Sequence, residues 1–178
     1  MSLAKKISLA SIVIYFFLNG EPKAEELKID VCKPTHTLED ALVNRKNIIG
    51  NCRYVIDISL EEHTLYFYGN GALLTSGVIS SPRIKGDKKS GGDGKIKYGA
   101  FKLHQFEKRE PEKFGYGFIR IDFSSLGFHG FGLHGTPLVQ SLGFDASRGC
   151  IRTENEIIRY IVQETGENLK DTLIIIKP

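Results

Sequence analysis

Apolar and polar residues alternate over 53–59 (RYVIDIS), a stretch rich in β-branched side chains, and this period of two predicts a strand. Residues 63–69 (HTLYFYG) predict a second strand and 72–80 (ALLTSGVIS) a third. Asn70-Gly71 between them is a strong hairpin signal, because tight two-residue turns need positive φ. Residues 98–104 and 116–121 predict further strands. Residues 128–135 (FHGFGLHG) read as a glycine-spaced strand that backbone or ligand can approach closely. Residues 172–176 (TLIII) predict a last, buried strand. The helical period appears twice. Over 37–46, Thr37 caps a short stripe of Leu38, Ala41 and Leu42. Further on, Thr153 and Glu156 read as a T-x-x-E capping box before Ile157, Ile158, Ile161 and Val162, with Gly166 as the stop. The expected fold is mostly β, a sandwich or barrel, with a few short helices.

The N-terminus follows a different pattern. Lys5 and Lys6 precede an apolar run from Ile7 to Leu18, followed by Asn19, Gly20, Glu21 and Pro22. The run is too short for a membrane span, which needs about 20 residues, and suits an export signal. Residues 1–24 are therefore read as a signal peptide or a retained N-terminal anchor, 25–52 as an arm with a short helix, and 53–178 as the working domain. Residues 25–178 are expected outside the cytoplasm, in the periplasm or envelope of a bacterium. Membrane contact is expected only through an uncleaved anchor.

Composition narrows the classes. The 178 residues carry 24 Lys+Arg against 21 Asp+Glu, and a net charge of +3 is too mild to argue for nucleic acid. Three cysteines exclude a dense disulfide scaffold and a four-cysteine zinc site. No repeat of solenoid period is present. Export makes a Cys32–Cys52 bridge one of two open states of that pair and leaves Cys150 as the odd thiol.

Cys150 lies in Ser147-Arg148-Gly149-Cys150-Ile151-Arg152, just ahead of a predicted helix. The helix N-terminus, Arg148 and Arg152 would all favour a thiolate. Gly149 clears room for a substrate to approach amide N–H groups that can stabilise an oxyanion. Acyl transfer by a thiolate needs a base, and His134 and His129 are nearest in sequence. Against this, a lone Cys is more often a small buried hydrophobe, and a lone His is usually structural. These residues alone leave both readings open. His129, His134 and Cys150 match no standard zinc spacing, and no metal or cofactor is expected. The loop 81–97 carries six basic residues against Asp87 and Asp93. It is read as a solvated surface, or as a lid or cradle for anionic peptides.

The block L-H-G-T-(x)10-S-R-G-C-I-R, residues 133–152, resembles the L,D-transpeptidase (YkuD-type) catalytic domain family, whose pattern is H-G-x…S-x-G-C-x-R. The hairpin around Asn70-Gly71 resembles the family's opening hairpin. Lys97-Tyr98-Gly99-Ala100-Phe101 resembles its T-P-x-G-x-F stretch without the Thr-Pro. The resemblance covers about residues 53–178. It implies a β-rich, sandwich-like fold, peptidoglycan stem peptides as substrate, and no cofactor. It implies Cys150 as nucleophile and His134 as base, with the Gly135 carbonyl orienting the imidazole. It further implies Ser147 as the motif serine, an oxyanion hole from the N–H groups of Arg148, Gly149 and Cys150, and Arg152 as a carboxylate-binding or loop-holding residue. The Arg148 side chain is given no catalytic role. The acceptor, which the sequence leaves open, would be a second stem, an envelope protein, or water; water would make the chain an L,D-carboxypeptidase. A wall-binding module with a silent thiol is the non-enzymatic alternative.

Overall fold

The computed structural model describes residues 32–178 and, before them, only the backbone of a hairpin, β1 (Ser11–Leu18) antiparallel to β2 (Glu21–Lys28). The expected export segment, residues 1–24, otherwise lies outside the described residues.

The stretch from Cys32 to Pro178 forms one compact unit. It begins with α1 (Leu38–Asn51). Strands β3 (Tyr54–Ser59), β4 (Thr64–Gly69) and β5 (Ala72–Pro82) form the predicted meander. Then come β6 (Gly99–Glu107), the one-turn α2 (Pro111–Phe114), β7 (Phe118–Ile121) and β8 (Gly132–Gly135). Short β9 (Asp145–Ser147) and β10 (Ile151–Thr153) precede α3 (Asn155–Thr165) and β11 (Leu173–Lys177). The strand order is β10-β8-β7-β6-β11-β3-β4-β5-β9. Strand β10 also pairs with β5, through Arg152↔Ser80 and Thr153↔Ile79, so the sheet closes on itself. The fold is a mostly-β, barrel-like sheet with few helices.

Alternation along the strands creates two cores. Ile56, Ile58, Phe67, Phe101, Leu103, Ile174 and Ile176 point to the main core, and α3 adds Ile157, Ile158 and Ile161. Val55, Ala100, Leu173 and Ile175 point the other way and meet Ala41 and Ile48 of α1. Strand β11 is thus covered on both faces, which is why it reads as an unbroken apolar run.

Several boundaries differ from the sequence reading, by up to three residues for β6, which runs to Glu107 rather than 104, and more informatively at three places. Helix α1 runs to Asn51 rather than 46, because buried Ile48 continues its apolar face. Thr37 caps it as expected, accepting the Asp40 N–H at 3.2 Å. The capping box at Thr153 does not form. Thr153 lies in β10, its hydroxyl donates to the Val78 carbonyl at 3.0 Å, and Glu154 takes the N-cap position without a side-chain bond. Of the expected strand 128–135 only Gly132–Gly135 is extended, since Gly130 turns at φ +81°.

The Cys32–Cys52 disulfide ties the segment before α1 to the helix's C-terminal end, and one ion pair fastens the helix to the sheet. Asp57, 0% exposed on β3, accepts from Arg45 Nε at 3.0 Å and from the neighbouring Nη2. Its Oδ1 has no hydrogen-bond partner among the described residues. Lys177 stands 4.0 Å away. Removing Arg45 leaves a desolvated carboxylate with only this distant cation. Arg45→Met should therefore lower unfolding free energy by about 3 kcal/mol in urea denaturation. Adding Asp57→Asn should restore about half of the loss, and full loss in the double variant would show that the pair is not what holds the helix.

Candidate active site

Strands β8 and β10 run parallel, in register Leu133↔Ile151, His134↔Arg152, Gly135↔Thr153. Leu133 and Ile151 enter the main core, so His134 and Arg152 point to the opposite face. Cys150 lies two positions before Arg152 and shares that face. One strand spacing across and two residues along place the Cα atoms of Cys150 and His134 about 8 Å apart. Both side chains line one cavity of about 380 Å³, together with Arg109, Phe114, Phe118 and Arg152.

His134 is buried, 4% exposed. Its Nδ1 lies 2.6 Å from the Gly135 carbonyl, which can only accept, so Nδ1 carries the proton and Nε2 of the neutral ring is the free acceptor. The ring stacks on Phe118 at 5.8 Å and meets Phe114 edge-on at 5.1 Å. Burial pushes the imidazole down to about 4, and nearby Arg152 and Arg109 add to this against the Gly135 bond. Gly135 must lack a side chain: a Cβ there would stand 2.2 Å from Asn155 Oδ1. Asn155 accepts from the Tyr116 N–H at 2.7 Å and donates to the Thr136 carbonyl at 3.4 Å, which fixes the strand behind the histidine.

The turn before Cys150 is held by Ser147. Its hydroxyl accepts the Gly149 N–H at 3.3 Å and donates to the Cys150 carbonyl. Of the three amides expected to form an oxyanion hole, Gly149's is therefore engaged inside the turn. Gly149 adopts φ +131°, and a Cβ there would stand 2.9 Å from Phe131. Arg148 is exposed at the cavity rim.

Cys150 is a half-buried free thiol whose Sγ lies 3.8 Å from the Gly130 carbonyl. The expected thiolate is not favoured at rest. Burial pushes the thiol up, and this outweighs the pull of the Gly132 N–H, Arg152 and Arg109. Helix α3 starts five residues later, beyond the one-turn reach of its dipole.

The basic loop is not a lid. None of residues 83–97 lines the cavity. Asp93 gathers the loop, accepting from Lys88 Nζ at 2.7 Å and from the Lys89, Ser90 and Lys95 N–H groups. Lys88, 2% exposed, lies 4.5 Å from the centre of the Phe131 ring. The Lys95 carbonyl and Phe131 together back Gly149. The loop is the floor beneath the cysteine turn. His129 belongs to a separate cavity with His104 and Asp122.

Arg109 and Asn155 escaped the sequence reading, whereas Phe114 and Phe118 fall in the stretch 114–131 whose aromatic residues read as core and cleft wall. The Pro111 in REPEKF marks a helix start, but nothing local shows that this turn folds over His134.

The family described as YkuD, L,D-transpeptidase catalytic domain, matches residues 53–175. The chain belongs to this L,D-transpeptidase family. No curated protein matches it in sequence. Among solved structures, Campylobacter jejuni Pgp2, a helical cell shape determining protein, is 20% identical with TM-score 0.56, over 80% of this chain and 56% of that one. Bdellovibrio bacteriovorus Bd1075 is 20% identical with TM-score 0.55, over 71% and 48%. The Xylanimonas cellulosilytica L,D-transpeptidase is 17% identical with TM-score 0.52, over 71% and 61%. The chain thus spans about half to three-fifths of these proteins, and the likeness is one of fold.

For this L,D-transpeptidase domain, the buried imidazole makes a stability prediction. In the unfolded chain it takes a proton near the ordinary 6.5, in the folded chain only near 4. Between these values the unfolded state binds more protons, so stability falls as pH drops through that window, by about 3 kcal/mol in all. Urea denaturation at pH 7 and 4.5 should show this loss in the parent and a much smaller one in His134→Gln. Parallel slopes would mean that His134 is protonated in the fold.

Proposed function

We propose that this chain is an exported peptidoglycan L,D-transpeptidase with Cys150 as nucleophile and His134 as general base. The observation that carries this reading is the shared cavity: a half-buried thiol and an imidazole with its Nε2 lone pair open to it, on adjacent parallel strands. Burial depresses the imidazole, so at neutral pH it is in the form that can accept a proton.

In the first half-reaction His134 Nε2 takes the thiol proton as Sγ attacks the carbonyl carbon of the third residue of a donor tetrapeptide stem. The N–H groups of Cys150 and Arg148 receive the oxyanion. The imidazolium returns the proton to the leaving amine, D-Ala departs, and a thioester remains. In the second half-reaction the side-chain amine of an acceptor stem attacks the thioester, forming the 3→3 amide and restoring the thiol. Ser147, Gly149 and the Gly135 carbonyl hold the turn and the ring in place.

Export is supported by the Cys32–Cys52 disulfide, a bond that persists in oxidising compartments. Among the described residues no helix is long and apolar enough to cross a membrane.

Incubation with tetrapeptide-bearing muropeptides should yield cross-linked dimers, and Cys150→Ala should yield none. Free tripeptides in place of dimers would make the chain an L,D-carboxypeptidase. Unchanged muropeptides with a folded protein would leave a wall-binding module.

The two shifted groups set the pH dependence. The acid limb of kcat/KM should fall near pH 4 to 5, where the imidazole protonates, rather than near the ordinary 6.5. Iodoacetamide should alkylate free Cys150 slowly at pH 7 and faster only in alkaline solution, because burial holds the thiol protonated. Rapid alkylation at pH 6 would show a resting thiolate–imidazolium pair instead.

A further inference from the structure

The cavity carries more positive charge than its own residues balance. Arg109, Lys113, Arg148 and Arg152 line it against one carboxylate, Glu112. Arg152 is half-buried two positions beyond Cys150 on the same strand face. Arg83 and Arg148, both cations, act on it electrostatically, and among the described residues no carboxylate forms a salt bridge with it.

Arg109 lines the same cavity. Its guanidinium lies 4.3 Å from the centre of the Phe118 ring, the ring on which His134 stacks. Nε and Nη2 donate to Glu107 at 2.7 and 2.6 Å. Glu107 also binds Arg120 and Gln105, contacts that draw its carboxyl down to about 2 and keep it charged. One carboxylate between two guanidinium groups leaves the trio positive. Glu107 thus aims Arg109 without neutralising it, and Nη1 is left for a ligand. A half-buried cation and a clamped one lining one reactive cavity suit an anion between them.

Resting on the reading of Cys150 as nucleophile, we propose that Arg109 is a specificity-determining residue: with Arg152 it receives the free terminal carboxylate of the peptide whose last bond Cys150 attacks. Bond counting selects this carboxylate. It stands three bonds, no more than about 4 Å, from the scissile carbon. Arg152 departs from the backbone about 6.6 Å along the strand from Cys150, within side-chain reach of that position. A carboxylate at the far end of the third residue's side chain lies about twice as many bonds away. A stem with one more residue carries its terminus about 3.5 Å further out. The pair of arginines therefore favours stems that end one residue beyond the cleaved bond.

The test separates this inference from the catalytic reading. A synthetic tetrapeptide stem ending in D-Ala, as free acid and as C-terminal amide, is titrated by calorimetry into Cys150→Ala protein, so no turnover is needed. The acid should bind at least about tenfold tighter than the amide. Arg109→Gln in the same background should remove that preference by weakening only the acid, and Arg109→Lys should restore part of it. Equal binding of acid and amide, or no measurable binding of the acid at millimolar concentration, overturns the inference. The acid–amide comparison needs no change at Arg109, so it holds even where Arg109→Gln fails to fold. A preference for the acid with no turnover by the cysteine-bearing protein would instead sink the catalytic reading and leave the carboxylate site standing.

Discussion

The whole site depends on one three-residue strand. Strand β10 pairs in parallel with β8 and antiparallel with β5, and it is both the seam of the closed sheet and the carrier of the reactive block. Its register decides everything near the cavity. With His134 opposite Arg152, Ile151 falls into the core and Cys150 onto the outer face beside the histidine. A slip of one residue would send Cys150 and Arg152 inward and Ile151 out. The register is pinned by fully buried Ile151 and Thr153, whose hydroxyl is bonded to β5. Closing the barrel and aligning the chemistry are therefore the same event.

That explains which parts were legible in the sequence. The strands of the meander and the last strand announce themselves by alternation or by unbroken β-branched runs, since each buries one or both faces. The pairing of His134 with the cysteine turn was legible only through resemblance to a family motif. Periodicity cannot show that two segments sixteen residues apart become parallel neighbours. Strands β9 and β10 are three residues each and too short for a period to register. Thr153 looked like a cap because sequence shows its spacing to Glu156 but not the strand that claims its hydroxyl. Arg109 was invisible for the same reason: its role comes from folding onto Phe118 beside His134, not from its neighbours in the chain.

The electrostatics of the site also reverse a sequence-level intuition. Two arginines beside a cysteine suggest a thiolate, yet in the structure desolvation is the larger effect on the thiol, and on the imidazole as well. Both groups are driven toward their neutral forms. In the proposed reaction an ion pair forms only as the proton moves from sulfur to nitrogen, during attack. The rigid parts already present serve that moment: Gly135 fixes the tautomer, and Phe114 and Phe118 fix the ring. A neutral resting thiol is also less open to oxidation than a standing thiolate.

The remaining question is what keeps a cavity with so many cations intact when its reactive pair is neutral. Part of the answer lies behind it. Asp93 holds Lys88 beneath the cysteine turn, and Glu107 holds Arg109 over the Phe118 ring. Both carboxyls are drawn well below their ordinary range, Glu107 by Gln105, Arg120 and Arg109, and Asp93 by Lys88 and the loop N–H groups. The fixed anions therefore stand outside the cavity and the arginines inside it. An entering carboxylate meets guanidinium groups already oriented, with their own counter-ions out of the way. Burial keeps the thiol protonated at rest against the pull of these arginines, while the arginines themselves leave the cavity positive.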